Sequence, residues 1–267
     1  MTSLDTLNLV TLNTWKNGGD YVRRLSLMAE KLAALAPDLV FLQEVFVAAE
    51  TRAHTGDALA AALGMAQIHE PARTKRRRHG GASVESSWGL SVLSRQPIHG
   101  HERLALSPDS DGEKIAIVSW LEWNGRPLAV VNLHLSYQPD VGALRCQQLK
   151  EIVQHVGHAH PADAVILAGD FNAEPDSPPL RWLRMASGYS VRDAWDAAGG
   201  PQATMTEPPG SAIFGKRCID HIMLLQPLDC SALRFVGAER VLDRVDPESG
   251  ILPSDHAGLR AVLSQGR

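Results

Sequence analysis

Ala164-Val165-Ile166-Leu167-Ala168-Gly169-Asp170-Phe171-Asn172 is the stretch from which the rest of the chain can be read. Its uncharged apolar run reads as a buried strand. The strand stops at a glycine, followed at once by a carboxylate, an aromatic ring and a carboxamide. Asp and Asn favour turns, so an ordinary Asx-rich turn accounts for the local residue types. A chemical reading accounts for them too, because a polar group on the lip of a strand is rigidly held. The same arrangement recurs on either side. Leu9-Val10-Thr11-Leu12 ends in Asn13, Leu39 to Gln43 ends in Glu44, and Val130-Val131-Asn132-Leu133 leads to His134. Further on, Asp220-His221 stands ahead of Ile222-Met223-Leu224-Leu225, and Asp255-His256 ahead of a closing strand near 257–263.

Between the first two strands, Val22, Leu25, Met28, Ala29, Leu32, Leu35 and Ala36 fall on one helical face, and Pro37 stops that helix. A second amphipathic helix spans 141–156, and shorter helices are predicted at 50–63 and 177–186. Asn124-Gly125 joins the runs 114–123 and 127–135 as a tight hairpin, because both central residues of a type I′ turn need positive φ. Further strands are predicted at 88–93, 219–225 and 232–241. The basic segment 71–87 has little periodicity and reads as a loop, as does the Pro/Gly-rich stretch 199–211. The run Lys75-Arg76-Arg77-Arg78 is either a solvated loop or a clamp on an anionic substrate. So many strands in one open sheet would curl or split. The expected architecture is therefore α/β: two packed mixed sheets flanked by helices, in a single domain spanning 1–267.

Bulk properties narrow the class. A chain of 267 residues, 44% hydrophobic and 21% charged, can bury a core without disulfides. Its net charge of −4 gives no sign of the broad basic face with which proteins grip long duplexes. Cys146, Cys218 and Cys230 have no CxxC spacing and read as reduced thiols. The start has no basic n-region, and no apolar run is long enough for a bilayer, so the expectation is a cytoplasmic protein without membrane insertion. No protein partner is evident. His155, His158 and His160 invite a metal reading, but cationic or polar groups suit a helix C-terminus better.

The polar strand ends match one task. Hard divalent cations such as Mg²⁺ take oxygen ligands, and one or two carboxylates suffice. Phosphoryl transfer then needs a group to position or deprotonate water, and positive charge where the oxygens become more negative. Taken in order, Leu12-Asn13, Leu42-Gln43-Glu44, Asn132-Leu133-His134, Gly169-Asp170-Phe171-Asn172, Ile219-Asp220-His221 and Ser254-Asp255-His256 resemble the endonuclease/exonuclease/phosphatase superfamily of deoxyribonuclease I-like hydrolases. The resemblance implies a four-layer sandwich with the site at one end of the sheets. It implies Glu44 as principal ligand of Mg²⁺ (or Mn²⁺), with Asn13 and Asp255 near or on the metal. It also implies His256 as the catalytic histidine oriented by Asp220, Asp170 and Asn172 as positioners of water and phosphate, and His134 on the scissile phosphate. The base is His256 or Asp170; an imidazole titrating near neutrality favours His256.

Substrate follows less directly. Nucleic acid is the leading class, with a phospholipid such as sphingomyelin or a small phosphate ester as the alternative, and an inactive scaffold of the same fold as the lesser one. A histidine at 134, where exonuclease III-like repair enzymes carry a tyrosine-type residue, resembles the deoxyribonuclease I and sphingomyelinase branches. The signatures of inositol 5-phosphatases are missing. His221 stands where an aromatic residue is more usual.

Overall fold

The computed structural model describes residues 6–159, 162–205, 217–230 and 232–266. The first part of the chain runs β1 (Thr6–Asn13), α1 (Tyr21–Leu35), β2 (Leu39–Ala48), β3 (Ala53–His54), α2 (Thr55–Leu63), β4 (Ala66–His79) and β5 (Ala82–Ser94). It continues through β6 (Ile98–Asp109), β7 (Gly112–Trp123), β8 (Arg126–His134), α3 (Gly142–Ala159) and β9 (Ala164–Asp170). The last part contains α4 (Pro178–Ala186), β10 (Tyr189–Asp193), α5 (Ala194–Ala197), β11 (Asp220–Pro227), β12 (Leu233–Val241) and β13 (Gly258–Gln265).

The strands form two sheets, β12-β13-β1-β2-β5-β4 with β3 beside β2, and β10-β11-β9-β8-β7-β6. Each sheet contains one parallel pair closed by a helix, β1-α1-β2 in one and β8-α3-β9 in the other, and its other pairings are antiparallel. Because successive side chains point to opposite faces, each central strand splits its apolar residues between two cores. Leu7 and Leu9 of β1, Leu39 and Phe41 of β2, Leu128 and Val130 of β8, and Ala164, Ile166 and Ala168 of β9 fill the space between the sheets. Val10, Leu12, Val40 and Leu42 pack outward on α1 and α2, while Val131, Leu133, Val165 and Leu167 pack outward on α3 and α4. The result is the expected α/β sandwich of two packed mixed sheets flanked by helices.

The same alternation brings the polar strand ends together. Each inward row is apolar at one end of the sandwich and polar at the other: Leu7, Leu9, Thr11, Asn13; Leu128, Val130, Asn132, His134; Ala164, Ile166, Ala168, Asp170. Beneath the last rung, a layer of buried carboxamides joins the sheets. Gln43 Nε2 donates to Asn132 Oδ1 at 2.7 Å, to Phe41 O at 3.1 Å and to Thr11 Oγ1 at 3.1 Å. Asn132 Nδ2 donates across the gap to Leu42 O and Ser91 O, both at 2.9 Å.

Three local expectations are corrected. Residues 71–87 are not a loop: they belong to the long β4–β5 hairpin, closed by Gly80-Gly81 with φ of +58° and +82°. Two adjacent glycines supply the positive φ values of a two-residue turn, so the signal lay in Gly80-Gly81 and was hidden by the polar flanks. β6 and β10 add to the predicted strands. The helix expected at 50–63 begins at Thr55, after a 3₁₀ turn at Ala49–Thr51 and the short β3. His158, in the last turn of α3, has Nδ1 2.6 Å from Gln154 O, which fits the helix-end reading, whereas His155 pairs with Glu102 of β6; His160 and residues 206–211 of the predicted loop lie outside the described residues.

The carboxamide layer yields a stability prediction. Asn132→Leu keeps the volume but leaves two buried carbonyls and the Gln43 amide without their partner, at a cost of about 3 kcal/mol or more. Denaturant unfolding should show that loss, and Asn132→Asp, which keeps an acceptor for Gln43 but turns a charged oxygen toward the carbonyls of Leu42 and Ser91, should be destabilised at least as much.

Candidate active site

Strand ends from both sheets meet in one cleft of about 310 Å³, lined among others by Asn13, Glu44, His134, Asp170, Asn172, Asp255 and His256. Asp220 lies just beneath and is reached through His256. All the residues expected to carry chemistry are therefore in one place.

Asp170 is the hub. Its Oδ2 accepts from Asn13 Nδ2 at 3.1 Å, with His134 Nε2 at 3.4 Å and His256 Nε2 at 4.0 Å. Its Oδ1 accepts the Asn172 backbone N–H at 2.9 Å. Asn13 is oriented by the Trp15 N–H, which donates to its Oδ1 at 3.0 Å and so turns Nδ2 toward the carboxylate. Asn172 Nδ2 donates to Leu135 O at 3.1 Å. Gly169 permits the close approach of β8: it holds φ at +146°, and a Cβ there would lie 2.0 Å from Leu133 O.

Glu44 arrives by another route. Simple alternation after Leu39, Phe41 and Gln43 would point residue 44 away from the inter-sheet space. Instead β2 carries a bulge between Leu42 and Val45, and Glu44 sits at φ +55°. Such a left-handed conformation costs a non-glycine residue about 1–2 kcal/mol, and the bulge re-aims the side chain into the cleft. There Lys16 Nζ lies 2.5 Å from Glu44 Oε1. Asp255 is fixed by its neighbour Ser254, whose hydroxyl donates to Asn13 O at 2.6 Å. Burial, with Glu44 adding to it, pushes the Asp255 carboxyl up to about 6 against the pull of His256, Lys16 and Arg24.

His256 donates from Nδ1 to Asp220 Oδ2 at 2.9 Å. Burial works against its charged form, but Asp220, Asp170 and Asp255 outweigh burial and raise it to about 10. Asp170 is raised in turn, by burial and by the Asp220 charge. His134 goes the other way: burial, then Lys114, Lys16 and His256, hold it well below the ordinary histidine value, so it is neutral. The site thus pairs a neutral imidazole with a charged one around a carboxylate that readily holds a proton.

These donors fit a hard divalent cation. Glu44 and Asp255 offer carboxylate oxygens in one cleft, their mutual repulsion is visible in Asp255, and a lysine ammonium already sits against Glu44. Among the described residues no cysteine lines the cleft, so the thiolate ligands of a cysteine-rich zinc site are not offered there. Asp170, Asp220 and His256 also place donor atoms within 4.8 Å of one another. The hydrogen bond from His256 Nδ1 to Asp220 accounts for that proximity.

This chain belongs to the endonuclease/exonuclease/phosphatase family. The family profile matches residues 10–256, which spans every site residue named above. The family is one that depends on divalent metal. Among curated proteins, 2′,5′-phosphodiesterase 12 of Mus musculus is 25% identical over 202 residues, covering 66% of this chain and 32% of the relative. The Homo sapiens protein of that name is 25% identical over 200 residues with the same coverage. The chain therefore spans about a third of the length of these relatives. Among solved structures, D. rerio TDP2 complexed with single strand DNA product has a TM-score of 0.76 at 17% identity, covering 97% of this chain and 99% of that one. The human Nocturnin catalytic domain with bound sulfate has a TM-score of 0.70 at 21% identity, covering 98% and 95%. No helix among the described residues is long and apolar enough to cross a membrane.

Two features of the site were not fully read from the sequence. Of the basic run 75–78, offered as either a solvated loop or a clamp, Lys75 and Arg77 line the cleft, and Arg73, Trp88 and Tyr137, which were not singled out, line it with them; alternation within a hairpin closed by Gly80-Gly81 is the signal that would have sorted the cations. The second is the role of His221. It lies on the far face of β11, with Nδ1 2.9 Å from Asp193 Oδ2 and Nε2 3.1 Å from Ala173 O, and so pins the loop that carries Asn172. Burial disfavours its charge, but Asp193 outweighs burial and raises its pKa.

A histidine raised on folding stabilises the protein below its unfolded value of about 6.5, and that contribution fades as pH rises through the folded value. The melting-temperature gap between the wild type and His221→Gln should therefore be widest near pH 6 and shrink toward pH 9. Melts of the two proteins across that range measure it. A gap that grows with pH would contradict a charged His221.

Proposed function

We propose that this protein is a Mg²⁺- or Mn²⁺-dependent phosphodiesterase acting on nucleic acid, in which a water attacks phosphorus. The convergence of Asn13, His134 and His256 on Asp170, in the same cleft as Glu44 and Asp255, carries the reading. The similarity to proteins named 2′,5′-phosphodiesterase supports a nucleotide phosphodiester as substrate. Every matched position holds a residue able to do its work, which argues against an inactive scaffold.

Glu44 and Asp255 would hold the cation, with Asn13 serving it indirectly by fixing Asp170. The bound cation supplies positive charge to the phosphoryl oxygens where negative charge builds. Asn172 and Asp170 orient the attacking water. Asp170 accepts the water proton as a carboxylate, because burial and the Asp220 charge raise its pKa to about 7, where a general base is both available and basic enough. This assigns the base to the second of the two candidates. His256, clamped by Asp220 and held as an imidazolium, faces the phosphate as a fixed positive donor. His134 is neutral, and its Nε2 offers a hydrogen bond to a phosphoryl oxygen or to the leaving group.

Two measurements test the proposal. In a panel of single- and double-stranded DNA, RNA, sphingomyelin and simple phosphodiesters, cleavage of nucleic acid should require Mg²⁺ or Mn²⁺ and disappear with chelator. Lipid hydrolysis without nucleic-acid cleavage would replace the substrate class, and activity indifferent to chelator would remove the metal from the mechanism. Asp170→Asn should lower kcat by roughly 10²–10⁴-fold with little change in KM, as expected for a lost proton acceptor. Glu44→Gln should raise the metal concentration needed for half-maximal rate by at least about tenfold.

A further inference from the structure

The chemistry above uses none of Arg73, Lys75 and Arg77, yet all three line the cleft. They stand on β4 beyond its bulge at Pro71–Arg73, where pairing with β5 is regular from Arg73↔Trp88 to His79↔Ala82. Residues two apart on a strand share a face and lie about 6.6 Å apart. Arg73, Lys75 and Arg77 therefore form a straight row along one wall, while Thr74, Arg76 and Arg78 belong to the other face and do not line the cleft.

The row is held ready for an anion. Arg77 is anchored through Nη1, which donates to Ser86 Oγ at 2.9 Å and to Ser86 O at 3.1 Å, and its buried Nη2 has no hydrogen-bond partner among the described residues. Burial and the Arg73 charge lower the Arg77 pKa, and Glu44 opposes them. Arg73 is steadied by Asp111 at 3.1 Å. Neither Lys75 nor Arg77 forms an ion pair among the described residues. Three cations side by side repel one another, in a chain whose net charge is −4. A linear polyanion relieves that repulsion.

We infer that this row binds successive phosphates of an extended single nucleic-acid strand on one side of the scissile bond, an inference that rests on the phosphodiesterase reading above. A lone phosphate is served by cations that converge on a point, not by cations strung along a line. Tyr137 lines the same cleft, half exposed, with Asp111 bonded to its hydroxyl, so its ring is presented to an unpaired base. A duplex keeps its base faces covered. A lipid surface calls for exposed apolar side chains at the mouth; among the described residues Val22, Met185, Leu228, Val236 and Val245, the other large exposed ones, do not line the cleft.

The test is binding of a short labelled oligodeoxythymidylate, followed by fluorescence anisotropy in EDTA so that nothing is cut. Affinity should fall with salt, and Lys75→Gln should weaken binding severalfold and reduce the slope of log K against log salt by about 0.7. Arg78→Gln removes the same charge from the opposite face and should change neither. Equal losses in the two variants, no loss in Lys75→Gln, a duplex bound as tightly as the single strand, or full competition by vesicles containing phosphatidylserine would each overturn the inference. Strand binding that depends on Lys75, without cleavage of any phosphodiester in Mg²⁺, would uphold the row and defeat the chemistry. Cleavage that is insensitive to Lys75 would do the reverse.

Discussion

Two sheets cannot meet across a polar layer unless each buried donor finds an acceptor on the other side. Gln43 and Asn132 satisfy that condition for this sandwich, one from each sheet, with four backbone or hydroxyl partners between them. Their layer separates a purely apolar interior from the reactive groups one rung above. It lets Asn13, His134 and Asp170 stand in a nearly dry setting without water leaking into the core. It also sets the spacing between strands that contribute to the site from opposite sheets, so that distances such as that from Asn13 to Asp170 are inherited from the packing.

The electrostatics follow from that setting. Four carboxylates (Glu44, Asp170, Asp220 and Asp255) and two imidazoles share a small, largely buried volume, and no arrangement of protons satisfies all of them as isolated groups. His256 resolves part of the conflict by carrying a positive charge between Asp220 and Asp170, and Lys16 does the same at Glu44. His134 remains neutral because burial, and then the charges of Lys114, Lys16 and His256, disfavour its protonation. Proton affinity is thus distributed by neighbours rather than by residue type, which is why an ordinary histidine pKa is a poor guide to which group acts as base.

Much of this was legible beforehand. Period-two runs ending in Asn13, His134 and Asp170 identify residues on one inward face, and the ordered motifs bring Glu44, Asp220, Asp255 and His256 into the same set. What escaped had physical reasons. Glu44 has the wrong parity for the cleft, and only the bulge, which no periodicity reveals, turns it inward. The β4–β5 hairpin is mostly polar on both faces near its tip, so alternation of apolar and polar residues could not mark it as strand. His221 is a buried charge whose partner, Asp193, lies 28 residues away in sequence and on another element.

Arg24 is fully buried and, among the described residues, has no carboxylate bonded to it. Its guanidinium donates to the carbonyls of Thr14, Trp15, Lys16 and Gly18, and also to that of Pro253. One side chain thereby fastens the turn after β1 to the segment just ahead of Asp255 and His256. During synthesis those two regions leave the ribosome more than two hundred residues apart. Until the later one emerges, Arg24 lacks its last acceptor and the cleft lacks both Asp255 and His256. A nascent chain consequently cannot complete the cleft until the segment that carries Asp255 and His256 has emerged.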